Sequence, residues 1–244
     1  MKKALMLASV ASMIEQFNMG NIEILQELGY EVQVAANFTD GGTLDNKRLE
    51  EFKNELEQKQ IKYINIPFER SPFSKKNLKA YKLLKKLMKA EKYNLIHVHS
   101  PVGSVYGRLA ARKTNALVIY TAHGFHFFKG APIKNWIMFY PVEKFLSRYT
   151  DILITINKED YELATTKFHS KKIYLINGVG VSDKKFNAKL SQEAKEELRT
   201  TLNITKDDFV ITYVAELNQN KNQILLIDAV KELKKEIPNI KVLL

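Results

Sequence analysis

The chain has 244 residues, an ordinary apolar content of 45%, and a formal net charge of +11 from 38 Lys/Arg against 27 Asp/Glu. A chain of this length buries a real core in one large or two modest domains, and its composition excludes a disordered protein. It has no cysteine, which excludes disulfides, a thiolate nucleophile and a Cys-ligated zinc site. No segment approaches the roughly 18 to 20 apolar residues that a membrane-spanning helix needs.

Buried-strand patterns alternate with amphipathic helical patterns through the first 180 residues. Strands are predicted at 3–8, 31–36, 61–66, 95–99, 117–122, 152–156 and 172–176. Helices are predicted at 14–28, 47–58, 75–92, 101–113, 136–149 and 158–168, the fourth of them with Ser100 as its N-cap. This alternation indicates a parallel sheet covered by helices on both faces. We therefore predict an α/β protein whose residues 1–180 form one Rossmann-like domain.

The pattern changes after this domain. Residues 181–208 are polar, with one predicted helix at 192–201, and are expected to be a connector. A strand, a helix and a strand are then predicted at 209–215, 223–236 and 240–244. A single β-α-β unit leaves a sheet with an uncovered edge. We therefore expect residues 209–244 to begin a second Rossmann-like domain in a truncated chain.

The positive charge is concentrated in the helix predicted at 75–92, which has eight lysines and one acid. Leu78, Tyr81, Leu84, Leu87 and Met88 recur at helical spacing, so this helix is amphipathic. One interpretation is a solvated lysine face over an ordinary core stripe. The other is a helix that lies near anionic lipid head groups through its basic residues, namely Lys79, Lys82, Lys86 and Lys89. Nucleic acid is disfavoured as a partner, because aromatic residues are not interleaved with the basic face.

A histidine follows the most apolar of the predicted strands. The run at 117–122 leads directly into His123-Gly124, and open α/β sheets bind ligands at the carboxyl ends of their strands. His123 is thus either a hydrogen-bonded loop residue or part of a ligand site. His97 and His99 share one face of another strand, and we predict that His97 is packed while His99 faces the same cleft as His123. No metal site is predicted, because a histidine pair lacks the further ligands that zinc requires.

Phosphate-binding signals are weak. The dinucleotide fingerprint, the P-loop and the nucleophile elbow of hydrolases are all absent from the sequence. Gly178-Val179-Gly180 follows a strand, and Lys221-Asn222 precedes a helix. Small residues, a lysine and a helix N-terminus suit a diphosphate, although a turn with an exposed lysine has the same pattern.

Six stretches in the same order make the whole chain resemble the first two-thirds of a family 4 glycosyltransferase of the GT-B type. Such enzymes assemble bacterial capsular or exopolysaccharide units. The stretches are SMIEQFNMGNIEILQELGYEVQVAANF (12–38), LIHVHSPVGSVYGRLAAR (95–112), YTAHGFHFFKGAP (120–132), DILITINKEDYELA (151–164), NGVGVSDKKF (177–186) and YVAELNQNKNQILLIDAV (213–230). The resemblance implies two Rossmann-like domains that face each other across a cleft, with the acceptor mainly on the first and the nucleotide-sugar mainly on the second.

The resemblance also implies roles on the donor side. His123 matches the catalytic histidine that contacts the transferred sugar, and Lys221 matches the lysine that holds the donor diphosphate, with Asn222 beside it. Glu216 stands where the family commonly has arginine, which removes one cation from the diphosphate site. The family's E-x7-E motif would lie beyond Leu244.

The segment from Ser12 to Gly20 matches the family's first loop, which in the family approaches the donor phosphate, although here it is not glycine-rich. Ser12 and Gly20 are expected to lie in the cleft on the acceptor side. His99, Gly124 and His126 are expected to line the acceptor side of the cleft.

The function implied is retaining transfer of a sugar from a donor such as a UDP-sugar, with no cofactor. The acceptor would be a saccharide or an undecaprenyl-linked saccharide of a cell-surface polysaccharide. The expected location is cytoplasmic, peripheral at the inner face of the cell membrane. The truncated chain is expected to be inactive alone. Two alternatives are a non-catalytic fragment that binds acceptor or membrane, and a GT-B nucleotide-sugar epimerase.

Overall fold

The computed structural model describes residues 2–99, 101–180, 189–219 and 221–244. They form two compact units, residues 1–180 and 181–244. The predicted N-cap at Ser100 lies outside the described residues. None of the helices in the described ranges is long and apolar enough to cross a membrane.

The first unit contains a seven-stranded sheet with the order β3-β2-β1-β4-β5-β6-β7, in which every neighbouring pair is parallel. The strands are β1 (Lys2–Val10), β2 (Tyr30–Asn37), β3 (Lys62–Asn65), β4 (Leu95–His99), β5 (Leu117–Ala122), β6 (Ile152–Thr155) and β7 (Lys172–Leu175). The α/β prediction and all seven strands are confirmed. Strand order reverses between β1 and β4, and such a reversal leaves a crevice at the carboxyl edge of the sheet.

Helices cover both faces of this sheet. They are α1 (Ala11–Phe17), α2 (Met19–Glu27), α3 (Asn46–Gln58), α4 (Lys76–Glu91), α5 (Pro101–Ala111), α6 (Ile133–Leu146) and α7 (Lys158–Lys167), with a 3-10 turn at Ser147–Tyr149. One face buries Leu7, Val98, Tyr120 and Phe127, and the opposite face buries Met6, Ile14, Val34 and Phe52. The alternation of neighbouring strand residues between these two cores is what the period of a buried strand requires.

Two sequence predictions about helices are corrected. The single helix predicted at 14–28 is two helices that meet at Asn18, whose side-chain amide donates to the Met13 carbonyl at 2.8 Å. An asparagine that bonds nearby backbone competes with the helical ladder, which explains the break. In α4, Leu78 is exposed and Asn77 is buried instead. Asn77 accepts from the Glu69 amide and donates to the Ser71 carbonyl. The rest of the predicted stripe does face the core, since Leu84 and Met88 are buried and Tyr81 and Leu87 pack against it.

A buried ion pair joins α5 to α6. Arg108 is 1% exposed, and its guanidinium lies 2.9 Å from the Glu143 carboxylate and 4.2 Å from the centre of the Tyr120 ring. Its Nε and Nη2 also donate to the carbonyl and hydroxyl of Ser104. Two residues before Glu143, Pro141 lies inside α6, where it has no N–H to donate to the helical ladder. Arg108 therefore fixes the end of α6 to α5.

The second unit has two parallel strands, β8 (Phe209–Thr212) and β9 (Ile240–Leu243). Helix α8 (Gln192–Thr201) precedes them, and α9 (Gln223–Leu233) lies between them in sequence. The Ser191 hydroxyl accepts from the Ala194 amide as the N-cap of α8.

Candidate functional site

Three histidines lie in a row at the carboxyl edge of β4 and β5. His97 Nε2 is 2.8 Å from the Thr121 hydroxyl, and the rings of His97 and His99 are 4.1 Å apart. His99 Nδ1 is 3.2 Å from His123 Nε2. His97 and His99 are buried, whereas His123 is partly exposed at the outer end of the row. The structure therefore brings the two predicted cleft histidines into direct contact beside the point where strand order reverses.

Burial keeps these three imidazoles neutral. Loss of solvation lowers the pKa of His97 to about 3, with a smaller contribution from His123. Burial lowers the pKa of His99 well below its usual value, and the neighbouring imidazoles add to the effect. Burial also lowers the pKa of His123. At neutral pH, His123 is therefore a neutral group that can donate or accept a hydrogen bond without bringing a positive charge.

The neutral row predicts a stability that depends on pH. In the unfolded chain these histidines take up protons near pH 6.5, whereas the folded chain resists protonation of His97 down to about pH 3. The unfolded state then binds more protons, so the free energy of unfolding should fall as the pH is lowered below about 6.5, by up to about 1.4 kcal/mol per pH unit for each such histidine. Urea titrations at several pH values would measure this slope.

The matched controls are single substitutions of a buried and an exposed histidine. His97→Gln should flatten the slope, whereas His169→Gln should not, because His169 is exposed. An unchanged slope in His97→Gln would contradict the assignment of the effect to the row.

Side chains of α6 and α7 hold the backbone of the loop that carries His123. Gly124 has a φ of 113°, a conformation that a side chain would strain. The Phe125 amide donates to the buried Asp160 carboxylate at 3.0 Å, and burial raises the pKa of Asp160 despite its hydrogen bonds. Asn135 donates to the His126 carbonyl at 2.9 Å. The start of α7 and the start of α6 thus fix the loop from two sides.

Some functional neighbours were not singled out from the sequence. The Phe17 ring lies 6.0 Å from the His123 ring and is partly exposed at the end of α1. Asp160 anchors the loop, but an acid in the first turn of a helix is also an ordinary helix-stabilising residue. No sequence signal pairs Phe17 with His123 or Asp160 with Phe125, because both contacts are long-range.

The segment that matches the family's first loop is mostly helical in this chain. Ser12 lies inside α1, buried, with the Gly41 carbonyl accepting from its backbone amide at 3.0 Å. The Thr43 amide donates to its hydroxyl at 3.4 Å. Gly20 is exposed on α2. The chain passes directly from β1 into α1, so Ser12 is covered by residues 41–43 rather than presented at the edge of the sheet.

A cavity of about 440 Å³ opens at the same edge of the sheet, on the face that α5 and α6 cover. Its walls come from the ends of β1 and β5, from α5, from α6 and from the segment before α4. Most of the side chains are apolar, among them Phe73, Val102, Phe127, Met138 and Val142. Gly124 and His126 line its mouth. Gly124, the residue that follows His123 in the chain, therefore lies in the cavity wall. His97 and His99 point to the opposite face of the sheet.

The predicted diphosphate residues share one loop of the second unit. Asn222 has left-handed backbone angles and is the N-cap residue of α9. The Tyr213 hydroxyl donates to the Lys221 carbonyl at 2.8 Å, and the Gln223 amide donates to the Glu216 carbonyl at 2.9 Å. The side chains of Lys221 and Glu216 are exposed. The loop holds its backbone by internal bonds and leaves its lysine available at the beginning of a helix.

Four of the six lysines of α4 are the predicted membrane-facing residues, and all four are exposed on one face: Lys79, Lys82, Lys86 and Lys89. As for metals, no group of three or more His, Asp or Glu side chains within the described ranges is arranged to hold an ion.

Comparisons with known proteins agree on one family. Residues 6–157 match the model of the family described as glycosyl transferase 4-like. EpsD of Bacillus subtilis (strain 168), whose name assigns it provisionally to the glycosyltransferases, is 41% identical over 248 residues, which cover 98% of this chain and 60% of EpsD. The UDP-Gal:alpha-D-GlcNAc-diphosphoundecaprenol alpha-1,3-galactosyltransferase of Escherichia coli is 31% identical over 160 residues, 64% of this chain and 40% of the relative. The chain thus spans 60% or less of the length of these two relatives.

A solved structure gives the same fold. The crystal structure of Anabaena Alr3699/HepE in complex with UDP-glucose has a TM-score of 0.68 and 16% identity, over 99% of this chain and 60% of that chain. At this identity the likeness concerns the fold alone.

Proposed function

Because the chain belongs to the glycosyl transferase 4-like family and has the GT-B type of α/β fold, we propose that it acts in sugar transfer from a nucleotide-sugar donor. The first unit would be the acceptor side, and residues 209–244 would begin the donor side. UDP-glucose, the ligand of the structural neighbour, makes a UDP-sugar the first donor to test. The galactosyltransferase relative is named for a diphosphoundecaprenol-linked acceptor, which favours a lipid-linked saccharide here.

The observation that carries the proposal is the contact between His99 and His123 at the carboxyl edge of the sheet. His99 contacts the Nε2 atom of His123, so the Nδ1 atom of His123 can bind a ligand. Sugar transfer develops positive charge on the anomeric carbon, so a neutral imidazole can bind a sugar hydroxyl there without electrostatic repulsion. His123 would be the catalytic residue that contacts the transferred sugar. His99 would be a positioning residue on the acceptor side, with Gly124 and His126 forming the acceptor loop.

The leaving group supports a role for the second unit. A departing diphosphate gains negative charge, and a cation beside a helix N-terminus stabilises that charge. Lys221 and Asn222 supply such an arrangement at the start of α9, whereas the nearby Glu216 side chain adds an opposing charge. We also propose that transfer retains the configuration of the anomeric carbon and needs no cofactor. Both points rest on the family resemblance.

The test compares donor binding and transfer in two forms of the protein. Isothermal titration with UDP-sugars should give negligible binding to the 244-residue chain and clear binding to a form that carries a complete second domain. That form should move radiolabelled sugar to a prenyl-diphosphate saccharide, and Lys221→Ala should weaken its donor binding. Micromolar donor binding by the 244-residue chain would show that its partial donor side is sufficient. Binding without transfer in the longer form would favour the epimerase or a non-catalytic role.

Membrane association at the inner face of the cell membrane is the remaining part of the proposal. Replacing Lys79, Lys82, Lys86 and Lys89 by glutamate should release the protein from vesicles of phosphatidylglycerol at low salt, because each lysine near such a surface contributes about 1 kcal/mol. Co-sedimentation would measure the bound fraction. A matched control replaces four exposed lysines elsewhere, namely Lys47, Lys59, Lys62 and Lys172. Equal binding by the two variants would remove α4 as the contact surface.

A further inference from the structure

The cavity beside the histidine loop has the chemistry of a site for one end of an amphiphile. Its volume of about 440 Å³ falls within the about 300 to 1,000 Å³ of small-molecule pockets. Its walls are aromatic and aliphatic side chains of α5 and α6, with Tyr120 and Phe125 at the edge of the sheet. Water finds few partners against such walls, so the cavity favours a hydrocarbon.

The polar groups of the cavity separate into engaged and available ones. The Ser9 hydroxyl accepts from the Gly103 amide at 2.8 Å, and Glu143 is paired with Arg108. Arg70, in contrast, is exposed on the rim, and within the described ranges no carboxylate forms an ion pair with it. The cavity thus has an apolar interior and a cation at its mouth, which complements a hydrocarbon attached to an anionic group.

The apolar surface continues beyond the cavity. Phe73 and Val142 line the cavity and are still 71% and 42% exposed. On α6, Ile133 and Ile137 lie one turn apart, 78% and 71% exposed, next to the lining residue Met138. An exposed apolar surface that leads out of a pocket suits a chain longer than the pocket itself.

We propose that this cavity binds the isoprenoid chain of a prenyl diphosphate, with the diphosphate at Arg70 and the attached saccharide directed along Gly124 and His126 toward His123. This inference rests on the proposed function, and it locates the lipid of the acceptor in α5 and α6 rather than on the lysine face of α4. The proposed occupant is one isoprenoid chain. The alternative occupant is an acyl chain from the lipid bilayer.

The experiment uses the 244-residue chain with 13C-labelled methionine methyl groups and farnesyl diphosphate as the probe, in the absence of vesicles. Saturable binding should shift the methyl signal of Met138, which lines the cavity. Val142→Trp should fill the cavity and weaken binding by about tenfold or more, the loss expected when two methylene groups can no longer be buried. Leu83→Trp is the matched control, because Leu83 is 40% exposed on α4 and is not a lining residue. Arg70→Glu should weaken binding of farnesyl diphosphate but leave binding of farnesol unchanged.

Four results would overturn the proposal: an unmoved Met138 signal, equal affinity in Val142→Trp and Leu83→Trp, binding of inorganic diphosphate as tight as that of farnesyl diphosphate, or an equal Met138 shift with phosphatidylglycerol vesicles alone. Far-ultraviolet circular dichroism checks that each variant is folded. Transfer of sugar to a water-soluble saccharide, measured with the form that carries a complete second domain, distinguishes failure of the proposed transferase function from failure of the proposed prenyl site. Transfer without prenyl binding overturns this inference alone, whereas prenyl binding without any transfer overturns the proposed function.

Discussion

Replacing His123 by alanine is expected to reduce sugar transfer by about 100- to 1000-fold, the scale of losing one preorganised group at a reacting centre. The measurement is the turnover of radiolabelled UDP-sugar by a form that carries a complete second domain. The physical reason is the position of His123 at the outer end of the histidine row, where it is partly exposed and is held by His99 at 3.2 Å. The fold should remain intact, because His123 is not part of the buried core.

Two further variants show which property of His123 matters. His169→Ala removes an exposed histidine outside the proposed site and should have a much smaller effect on turnover. His99→Asn should leave His123 present but less well oriented, so its loss should be intermediate and should change the pH profile of turnover. Wild-type turnover in His123→Ala, with normal circular dichroism, would remove His123 from the mechanism.

Glu143→Leu is expected to destabilise the first unit by about 3 to 5 kcal/mol, the cost of leaving a buried charge without its partner. Arg108 would remain 1% exposed, and its remaining contacts, the Ser104 oxygens and the Tyr120 ring, carry no compensating charge. Urea unfolding followed by tryptophan fluorescence would measure the change. Trp136 is the single tryptophan of the chain and lies on α6, so the signal reports on the first unit.

The double variant Arg108→Met/Glu143→Leu is the decisive control. Replacing both partners by apolar side chains of similar size removes the uncompensated charge, so most of the lost stability should return. Lys76→Ala breaks an exposed ion pair with Glu69 in the same unit and should change stability by less than about 1 kcal/mol. A double variant as unstable as the single variant would show that packing, rather than charge, explains the loss.

The sheet was predictable from the sequence because its strands are buried on both faces. Runs such as Leu95–His99 and Leu117–Ala122 have the bounds that their apolar pattern predicts. The meeting of His99 and His123 was also predictable, since both end parallel strands and such ends share one edge. What carried these predictions was local periodicity together with the connection rules for parallel strands.

The rest depended on contacts between distant parts of the chain. The side chain of Asn18 divides the predicted helix through its hydrogen bond to the Met13 carbonyl. The periodic pattern of apolar residues does not indicate such a bond. At the start of α4 the buried residue is Asn77, which bonds to the preceding loop, rather than the apolar Leu78. The cavity is built from segments that are far apart in sequence, from Ser9 to Glu143, so no local pattern indicates it.

The two halves of α6 are attached to different parts of the molecule. Beyond Pro141, the helix is fixed to α5 through Glu143 and Arg108. Before Pro141, Asn135 and Trp136 donate to the carbonyls of His126 and Phe128. The same first half contributes Met138 to the cavity wall. One half-helix therefore both forms part of the cavity wall and holds the backbone of the loop that carries His123.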